Sequence, residues 1–509
     1  MSVSSESLVA DVVVVGGGGT GLAAAVEAAT QGVRVLLLEK NPELGGTTAW
    51  SIGSISATRT RLQRSAGIED SPESHFRDMP LFHKDKRPDN EALRRILTDN
   101  VPDTIQWLMD LGVEFFGPLD EPPHTKPRMH NVLPNSRAYI YHLARAARRA
   151  GVEIMTSARV ERLITRDGVV TGVAIGHDGR VKTVNAAKGV ILASGDYAGS
   201  REMKAAYISE SMAMTEAINP TSTGDGQRMA MSLGGTLRNT DMFLGGVRFL
   251  PPAKRSWISL LPPSRWLMRP TSLALRYVPH GIVRRFLMGF LTTVLVPSHK
   301  LFEAGAILIN RNGERFTDET KKMVYELPFQ PDGLGYIVFD SRLAEKHSKP
   351  PYYISTAPGF AYAFLADYER NRPDLFHRAG SPEELAAELG IDPAKLRKSL
   401  DRYNEGGSGG DGKATPRGGR PALDSGPYYA LGPVKNYVNF TDGGLVISER
   451  FEVLRDDGSI IPGLYAAGSA GQGGLLLNGH GHHLGWAFTS GRLSGRHVAG
   501  LPPRVATAS

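Results

Sequence analysis

The sequence predicts an α/β protein in which a Rossmann-like domain is interrupted by a second domain. From residue 11 to residue 40 a valine run, a glycine cluster, an Ala-rich segment and a second apolar run follow in the order of a βαβ unit. The region 242–424 differs in composition, with paired prolines and many aromatic residues. Because 509 residues exceed one ordinary domain, residues 1–241 and 425–509 are interpreted as two parts of one domain, with 242–424 inserted between them.

The composition excludes several classes of function. Lys and Arg number 59 against 52 Asp and Glu, and no basic run with interleaved aromatic residues occurs, so nucleic-acid binding is not expected. The chain has no cysteine, which excludes disulfides and Cys-ligated iron–sulfur clusters. Any redox chemistry therefore needs a bound organic cofactor. The opening MSVSSESL has neither the charged region nor the cleavage site of a signal peptide, which predicts a cytoplasmic location.

Later segments give further elements. Val160 to Ala174 alternates like a β-hairpin, and Gly189 to Gly195 is typical of a short buried strand. In the inserted region, Ser381 with Pro382 and Asp392 with Pro393 predict the starts of two short helices. The Gly-rich stretch 406–419 predicts a loop.

The glycine cluster carries the first functional signal. In Gly16-x-Gly18-x-x-Gly21 the first glycine permits a tight turn, the second allows close approach of a pyrophosphate, and the third allows close helix–strand packing. Glu39 ends the next strand, where it is placed to accept hydrogen bonds from an adenosine ribose. The motif predicts a dinucleotide site and leaves FAD and NAD open.

Five later motifs separate FAD from NAD. They are LGGTTAWSIG after Glu39, ILASGDYAG at 191–199, TGDGQRMAMSLGG at 223–235, NRNGERFTDE at 310–319 and IPGLYAAGSAGQGG at 461–474. In this order they resemble the fumarate reductase and 3-ketosteroid dehydrogenase flavoproteins over nearly the whole chain. The resemblance implies a Rossmann-like FAD-binding domain of the GR2 type with an inserted α+β capping domain that closes over the flavin.

The resemblance also implies a set of cofactor-binding residues. They are Gly16, Gly18, Gly19, Thr20, Gly21, Glu39, Lys40, Gly45, Gly46, Thr47, Thr48, Ser51, Gly53, Val160, Ala193, Ser194, Gly195, Asp225, Gly468, Ser469, His483 and Leu484. Members with covalent flavin carry His where this chain has Thr47, so noncovalent FAD is predicted. Ser469 replaces a glutamate that binds the ribityl chain in many members.

The catalytic positions of the family are not retained. The fumarate reductases protonate substrate with an Arg, and the 3-ketosteroid branch uses a Tyr, where this chain has Met323. Leu477 stands where the 3-ketosteroid branch has the Tyr that polarises the ketone. Tyr325 is the candidate proton donor or base, and His480 or Asn478 with the Gly481 N–H would form an oxyanion site.

Each candidate has a structural alternative. Tyr325 would otherwise be an aromatic residue under the cap, and one or two of His480, His482 and His483 are expected to be structural, with hydrogen bonds to the flavin or the backbone. The segment NGHGHH is not expected to bind metal, because its glycine spacing and family position favour contacts with the flavin. Packing roles are expected for Tyr139, Tyr352 and Tyr353, and surface loop positions for His124 and His130.

The leading hypothesis is a flavoenzyme that desaturates or reduces a C=C bond next to a carbonyl, with hydride moving between flavin N5 and carbon. Leucines in place of charged anchors favour an apolar cyclic ketone, such as a steroid or alicyclic enone. The alternatives are reduction of an unsaturated carboxylic acid, and a non-redox isomerase or binding protein. An external electron acceptor or donor, such as a quinone, is implied.

A basic apolar segment adds one more hypothesis. Residues 279–297 are too short and too charged for a transmembrane span, but such a segment can lie in a bilayer interface. The alternative is a cap helix buried against the flavin domain or a partner subunit.

Overall fold

The computed structural model describes residues 7–83, 87–177, 180–252, 261–264, 266–271, 288–289, 292, 295–357, 361–406 and 419–504. Most of the predicted loop 406–419 and most of the segment 279–297 lie outside the described residues. Within the described part of the chain, no helix combines the length and the apolar character needed to cross a membrane.

The strands, in chain order, are β1 (Ser7–Val15), β2 (Val35–Leu38), β3 (Ser54–Ser56), β4 (Glu114–Leu119), β5 (Met129–Leu133), β6 (Glu153–Met155), β7 (Arg159–Arg166), β8 (Val169–His177), β9 (Arg180–Leu192), β10 (Glu216–Ala217), β11 (Leu237–Arg238), β12 (Phe243–Phe249), β13 (Val296–Pro297), β14 (Ile307–Asn310), β15 (Leu334–Asp340), β16 (Ser355–Ala357), β17 (Ala361–Ala363), β18 (Phe376–Ala379), β19 (Tyr428–Thr441), β20 (Gly444–Leu445), β21 (Glu452–Leu454) and β22 (Ile460–Ala466).

The α-helices that the structure describes are α1 (Gly19–Ala29), α2 (Arg61–Ser65), α3 (Pro72–Asp78), α4 (Glu91–Asp110), α5 (Arg137–Arg149), α6 (Arg201–Tyr207), α7 (Glu210–Met214), α8 (Asp225–Met231), α9 (His299–Glu303), α10 (Met323–Glu326), α11 (Ser341–Lys346), α12 (Leu365–Asn371), α13 (Pro382–Leu389), α14 (Pro393–Asn404) and α15 (His482–Gly500).

The larger sheet contains the predicted βαβ unit. Its order is β21-β22-β9-β1-β2-β6, with the β7–β8 hairpin attached to β9. β1 runs parallel to both β2 and β9, and β22 runs parallel to β9. The valines 12–15 of β1 are buried on both faces, as expected for a central parallel strand. The β7–β8 pair confirms the predicted hairpin, and the segment from Gly189 forms the end of the longer strand β9.

The second sheet belongs to the inserted region. Its order is β10-β19-β15-β14, and β12 and β18 also pair with β19. The predicted boundary at Asp424 lies just before β19. Because β19 pairs with β15, the second sheet extends beyond that boundary to Thr441. Helices α13 and α14 pack on this core and begin at the predicted caps, Ser381 and Asp392, whose side chains accept backbone hydrogen bonds.

The C-terminal helix returns to the first domain and packs on α1. A Cβ at Gly491 would lie 2.5 Å from the Thr20 carbonyl oxygen, and one at Gly495 would lie 2.2 Å from that of Ala24. Only glycine allows this close approach of the two helices. The contact holds the first turns of α1, which begins after Gly18, against the middle of α15, which begins after Gly481.

Candidate active site

Three parallel strands of the first sheet end at the same edge, and the residues that follow them line a cavity. Gly16 follows β1, Glu39 follows β2 and Ala193 follows β9, and all three line a cavity of about 1170 Å³. The cavity wall continues onto β12 and β19 of the second sheet. This is the position at which doubly wound sheets bind ligands.

The glycine turn has the geometry that its sequence predicts. Gly16 has a φ of +112°, which favours glycine. A Cβ at Gly21 would lie 1.8 Å from the Gly16 carbonyl oxygen, so this glycine is required by the fold itself. At Gly18 the nearest atom to such a Cβ is the Gly45 oxygen at 3.8 Å, and Gly18 lines the cavity. The space beside Gly18 is therefore available to a ligand.

Glu39 holds the two sides of this turn together. Its Oε2 accepts from the Gly17 N–H at 2.7 Å, and its Oε1 accepts from the Asn41 N–H at 2.8 Å. The side chain is buried except where it borders the cavity. The carboxylate is thus rigidly placed where the ribose contact was predicted.

Two further contacts shape the cofactor side of the cavity. Lys40 Nζ lies 2.8 Å from Asp225 Oδ2. Burial opposes ionisation of Asp225, but hydrogen bonding and charge from Lys40, with further cations nearby, hold the pKa of this carboxyl below its usual value. Across the turn, the Gly19 N–H donates to Thr48 Oγ1 at 3.2 Å, and Asn219 Nδ2 donates to Thr47 Oγ1 at 3.0 Å.

The predicted cofactor residues converge on one cavity. All of them line it except Gly21, Gly45 and Gly468, which support the wall from behind. The Gly45 N–H donates to the Gly17 carbonyl oxygen, and the Gly468 N–H donates to Ser490 Oγ. Ser194 Oγ is buried at this wall and has no hydrogen-bond partner among the described residues, so it is available to a bound polar group. The residues present fit a dinucleotide.

The N-terminus of α15 faces the same cavity from the other side. Gly481, His483 and Leu484 line the wall, and Gly481 has a φ of +90°. A Cβ at Gly481 would lie 2.4 Å from the Ser56 nitrogen. The first N–H groups of a helix lack intrahelical partners and carry partial positive charge. This helix end therefore favours an electron-rich ligand atom.

His480 forms a pair with a carboxylate that the sequence analysis missed. Its Nδ1 lies 2.5 Å from Glu121 Oε1, and the same oxygen accepts from the His480 backbone N–H at 2.7 Å. Both residues line the cavity, but Glu121 is otherwise buried. With Nδ1 engaged by the carboxylate, Nε2 is the ring nitrogen left for a bound substrate.

A second pair of this kind lies at the first turn of α15. His483 Nε2 is 2.8 Å from Asp442 Oδ1, which also accepts from Gln472 Nε2. The His483 ring packs on Phe440 with 4.0 Å between ring centroids. The sequence contains no motif for either acid, because Glu121 and Asp442 reach their histidines across long chain separations.

The remaining catalytic candidates differ in whether they line the cavity. Asn478 lines the cavity, and its carbonyl oxygen accepts from His482 Nδ1. Met323 and Leu477 also line the cavity. Tyr325 is 45% exposed and is not among the described residues of the cavity wall, because the short helix α10 turns its side chain outward. Tyr325 therefore does not border the cavity in this structure.

Two histidines expected on surface loops are buried, so that expectation is wrong. His130 lies in β5, where its Nε2 is 2.9 Å from Thr60 Oγ1. His124 packs against His75 and His482 behind the cavity wall. Tyr139, by contrast, has the predicted packing role, with its hydroxyl donating to the Gly53 carbonyl oxygen.

The cluster of His75, His124 and His482 has the proximity of a metal site, with one ring nitrogen of each within 4.8 Å of the others. Its hydrogen bonds give another account. Arg128 Nη1 donates to His124 Nδ1, so that a neutral His124 carries its proton on Nε2. His75 Nε2 and His482 Nε2 are 3.1 Å apart and can share a hydrogen bond directly. Neutral imidazoles account for these contacts, while His75 Nδ1 and His124 Nε2 are buried without a hydrogen-bond partner among the described residues.

These buried histidines predict acid-sensitive stability. Burial lowers the pKa of His130 and of His482 to about 4, and that of His124 to about 2. In the unfolded chain the same groups protonate near pH 6.5. Below that pH the unfolded state binds more protons, so the free energy of unfolding should fall by about 1 kcal/mol per histidine per pH unit.

Urea unfolding at pH 7 and at pH 5 measures this effect. The midpoint should be clearly lower at pH 5, and His130→Asn should reduce the difference. Equal midpoints at the two pH values would show that these imidazoles are not held neutral by the fold.

Comparison with known proteins agrees with this geometry. The sequence profile of a family described as FAD binding domain matches residues 11–478. A vinyl phenol reductase from Lactiplantibacillus plantarum is 30% identical, with 96% of each chain covered. An NADH:fumarate oxidoreductase from Klebsiella pneumoniae is 28% identical over 90% of this chain, which spans 44% of that relative's length.

A solved structure from the 3-ketosteroid dehydrogenases is also similar in fold to this chain. The 3-ketosteroid-Δ4-(5α)-dehydrogenase of Rhodococcus jostii, in complex with 4-androstene-3,17-dione, gives a TM-score of 0.61 at 24% identity. The match covers 98% of this chain and 99% of that one. At this identity the likeness concerns the fold, and it confirms the predicted α/β architecture.

Proposed function

This chain belongs to the FAD binding domain family and is an FAD-dependent oxidoreductase of carbon–carbon double bonds, and we propose that its substrate is an apolar cyclic ketone or enone. The bond that changes lies next to the carbonyl. The proposal rests on one observation: the cavity wall is apolar at the positions that carry the family's charged or phenolic groups, while His480 with Glu121 supplies a proton-transfer group beside them.

The apolar part of the wall comes from both domains. Leu477 belongs to the C-terminal segment, Met323 and Val324 to α10, and Phe243 and Phe440 to the second sheet. These apolar side chains give an ionised dicarboxylate no charged partner at the positions that they occupy. A ring with a single carbonyl buries apolar surface and needs only one polar contact at its oxygen.

The cofactor side of the cavity would hold FAD noncovalently. The glycine turn would admit the pyrophosphate beside Gly18, Glu39 would bind ribose hydroxyls, and the N-terminus of α15 would face the flavin ring. FAD, when bound, supplies or accepts the hydride at a substrate carbon. Thr47 offers a hydroxyl where covalent members of the family carry His.

His480 would exchange a proton with the carbon next to the one that exchanges hydride. Its Nε2 is the free ring nitrogen, and Glu121 would fix the ring orientation and tautomer. The Asn478 side chain and the Gly481 N–H would bind the carbonyl oxygen while negative charge develops on it. The chain contains no cysteine for an iron–sulfur relay, so electrons would be exchanged with an external partner such as a quinone.

Anaerobic mixing of the holoenzyme with 4-androstene-3,17-dione and with cyclohex-2-enone tests the proposal. We expect an enone to reoxidise the reduced flavin, or the matching saturated ketone to bleach the oxidised flavin. No change in the flavin spectrum in either redox state would contradict the proposed substrate class.

A second candidate is the reduction of an unsaturated carboxylic acid, which the likeness to the NADH:fumarate oxidoreductase favours. Fumarate or a cinnamate would then reoxidise the reduced enzyme, and the cyclic ketones would leave it unchanged. The same stopped-flow experiment separates the two candidates.

A further inference from the structure

Arg248 is a charged residue in the cap side of the cavity that the proposed reaction does not use. It lies on β12 and lines the cavity together with Val296, Pro297 and Thr356. The side chain is partly buried, and its Nε is shielded from solvent without a hydrogen-bond partner. The structure gives it no ion pair among the described residues.

Other buried arginines of this chain do not behave in this way. Arg128 pairs with Asp70 and Asp78, and Arg315 pairs with Glu319. Arg94 and Arg372 also have carboxylate partners, Asp89 and Asp374. Burying a guanidinium costs several kcal/mol unless an anion compensates it. The fold supplies that anion at these four positions and leaves it out at Arg248.

Among the described residues, no acid on the elements beside β12 pairs with Arg248, although Glu326 of α10 has a buried Oε2 without a hydrogen-bond partner. Glu216, on the strand next to β19, is 2.7 Å from Lys435 Nζ, and Tyr437 is the titratable group whose charge acts on Arg248. Among the undescribed segments of the inserted region, 407–418 contains Asp411, and the others contain neither Asp nor Glu in their sequence: 253–260, 265, 272–287, 290–291, 293–294 and 358–360. The described residues thus give Arg248 no ion-pair partner, and its place on the cavity wall is where a ligand would supply the compensating anion.

The distance from the reaction centre can be read along β19. Arg248 pairs in register with Lys435, and Phe440, which packs on His483, lies five residues further along the same strand. At about 3.3 Å per residue, Arg248 stands on the order of 15 Å from the α15 end of the cavity. An anion bound there is separated from the α15 end of the cavity by the length of several fused rings.

We propose that Arg248 binds a carboxylate at the far end of the substrate, which makes the substrate an elongated cyclic ketone with an anionic tail. A guanidinium matches a carboxylate with two parallel hydrogen bonds. The apolar wall between Arg248 and His480 contacts the ring skeleton. This inference rests on the proposed function for the ketone end only.

Binding tests the carboxylate site without turnover. The holoenzyme is titrated calorimetrically with 5β-cholanic acid, which has the carboxylate and no ketone, and with its methyl ester. We expect Arg248→Gln to weaken binding of the acid about 100-fold and to leave the ester within threefold. Lys435→Gln, which removes a charge directly across from Arg248 and outside the cavity wall, should bind the acid as the wild type does.

Turnover separates this inference from the proposed function. With 3-oxochol-4-en-24-oic acid, Arg248→Gln should lose about 100-fold in kcat/KM, Arg248→Lys should recover part of it, and the methyl ester should be converted equally by all three proteins. Equal losses for acid and ester, in binding or turnover, would overturn the carboxylate site. Arg248-dependent binding of cholanic acid without conversion of any ketone would retain the site and refute the proposed reaction.

The same anion could belong to the electron donor, since a dinucleotide carries phosphates. Anaerobic flavin reduction by NADH distinguishes this source. We expect equal rates for wild type and Arg248→Gln; a rate loss in the variant, with unchanged binding of cholanic acid, would overturn the assignment to the substrate.

Discussion

Replacing Gly18 with alanine is expected to give a folded protein that has lost its FAD. Gly18 has a φ of −79°, which alanine adopts without strain, and the added Cβ would meet nothing closer than 3.8 Å in the protein. The methyl group would instead occupy the space beside the turn where the pyrophosphate is predicted to lie. We expect the FAD affinity to fall on the order of 100-fold, equivalent to about 3 kcal/mol of overpacking.

The ratio of absorbance at 450 nm to that at 280 nm, with a fluorescence titration of the apoprotein, measures this loss. Gly21→Ala is the contrasting variant, because its Cβ would strike the Gly16 carbonyl oxygen at 1.8 Å and destabilise the apoprotein itself. Gly500→Ala, at the open end of α15, should change neither property. Full FAD content in Gly18→Ala would mean that the cofactor does not approach this turn.

Removing the His480 side chain should lower kcat by about 10²- to 10⁴-fold, the usual contribution of a general acid or base. His480→Ala takes away Nε2 and removes the ring contact of Glu121, which keeps its hydrogen bond from the backbone N–H of residue 480. The cofactor contacts lie elsewhere in the cavity, so FAD content should stay at the wild-type level. Single-turnover flavin oxidation by an enone measures the chemical step directly.

Two further variants separate proton transfer from structural support. Added imidazole should restore part of the activity of His480→Ala, which a structural defect would not allow. Glu121→Gln should lower kcat about tenfold with little change in KM, since it keeps the shape and loses the charge that orients the ring. His497→Gln, near the other end of α15, is the control. Wild-type kcat in His480→Ala would assign the proton to another group.

The local features of the fold could be predicted from the sequence. The glycine turn, the β7–β8 hairpin and the caps at Ser381 and Asp392 depend on residues a few positions apart, whose backbone preferences are set by their own side chains. The five motifs in their order along the chain predicted the cofactor and the family. Nearly all of the cofactor-binding residues implied in this way line one cavity.

The contacts of the catalytic candidates could not be predicted in the same way. Glu121 and His480 are 359 positions apart, and no periodicity or motif links them. His124 stands among loop-forming residues, yet packing against His75 and His482 buries it. Tyr325 lies two residues from a cavity residue, but the turn of α10 directs it to the surface.

By itself, then, the sequence determined the βαβ unit and the glycine turn, because both depend on short-range backbone preferences. It also determined the flavin cofactor, because the order of the motifs along the chain indicates it. Only the tertiary structure decided which acid pairs with which histidine, that Tyr325 points away from the cavity, and that Arg248 has no ion-pair partner among the described residues. These outcomes depend on how two sheets and the returning helix α15 pack together, and that packing brings together side chains that the sequence keeps hundreds of residues apart.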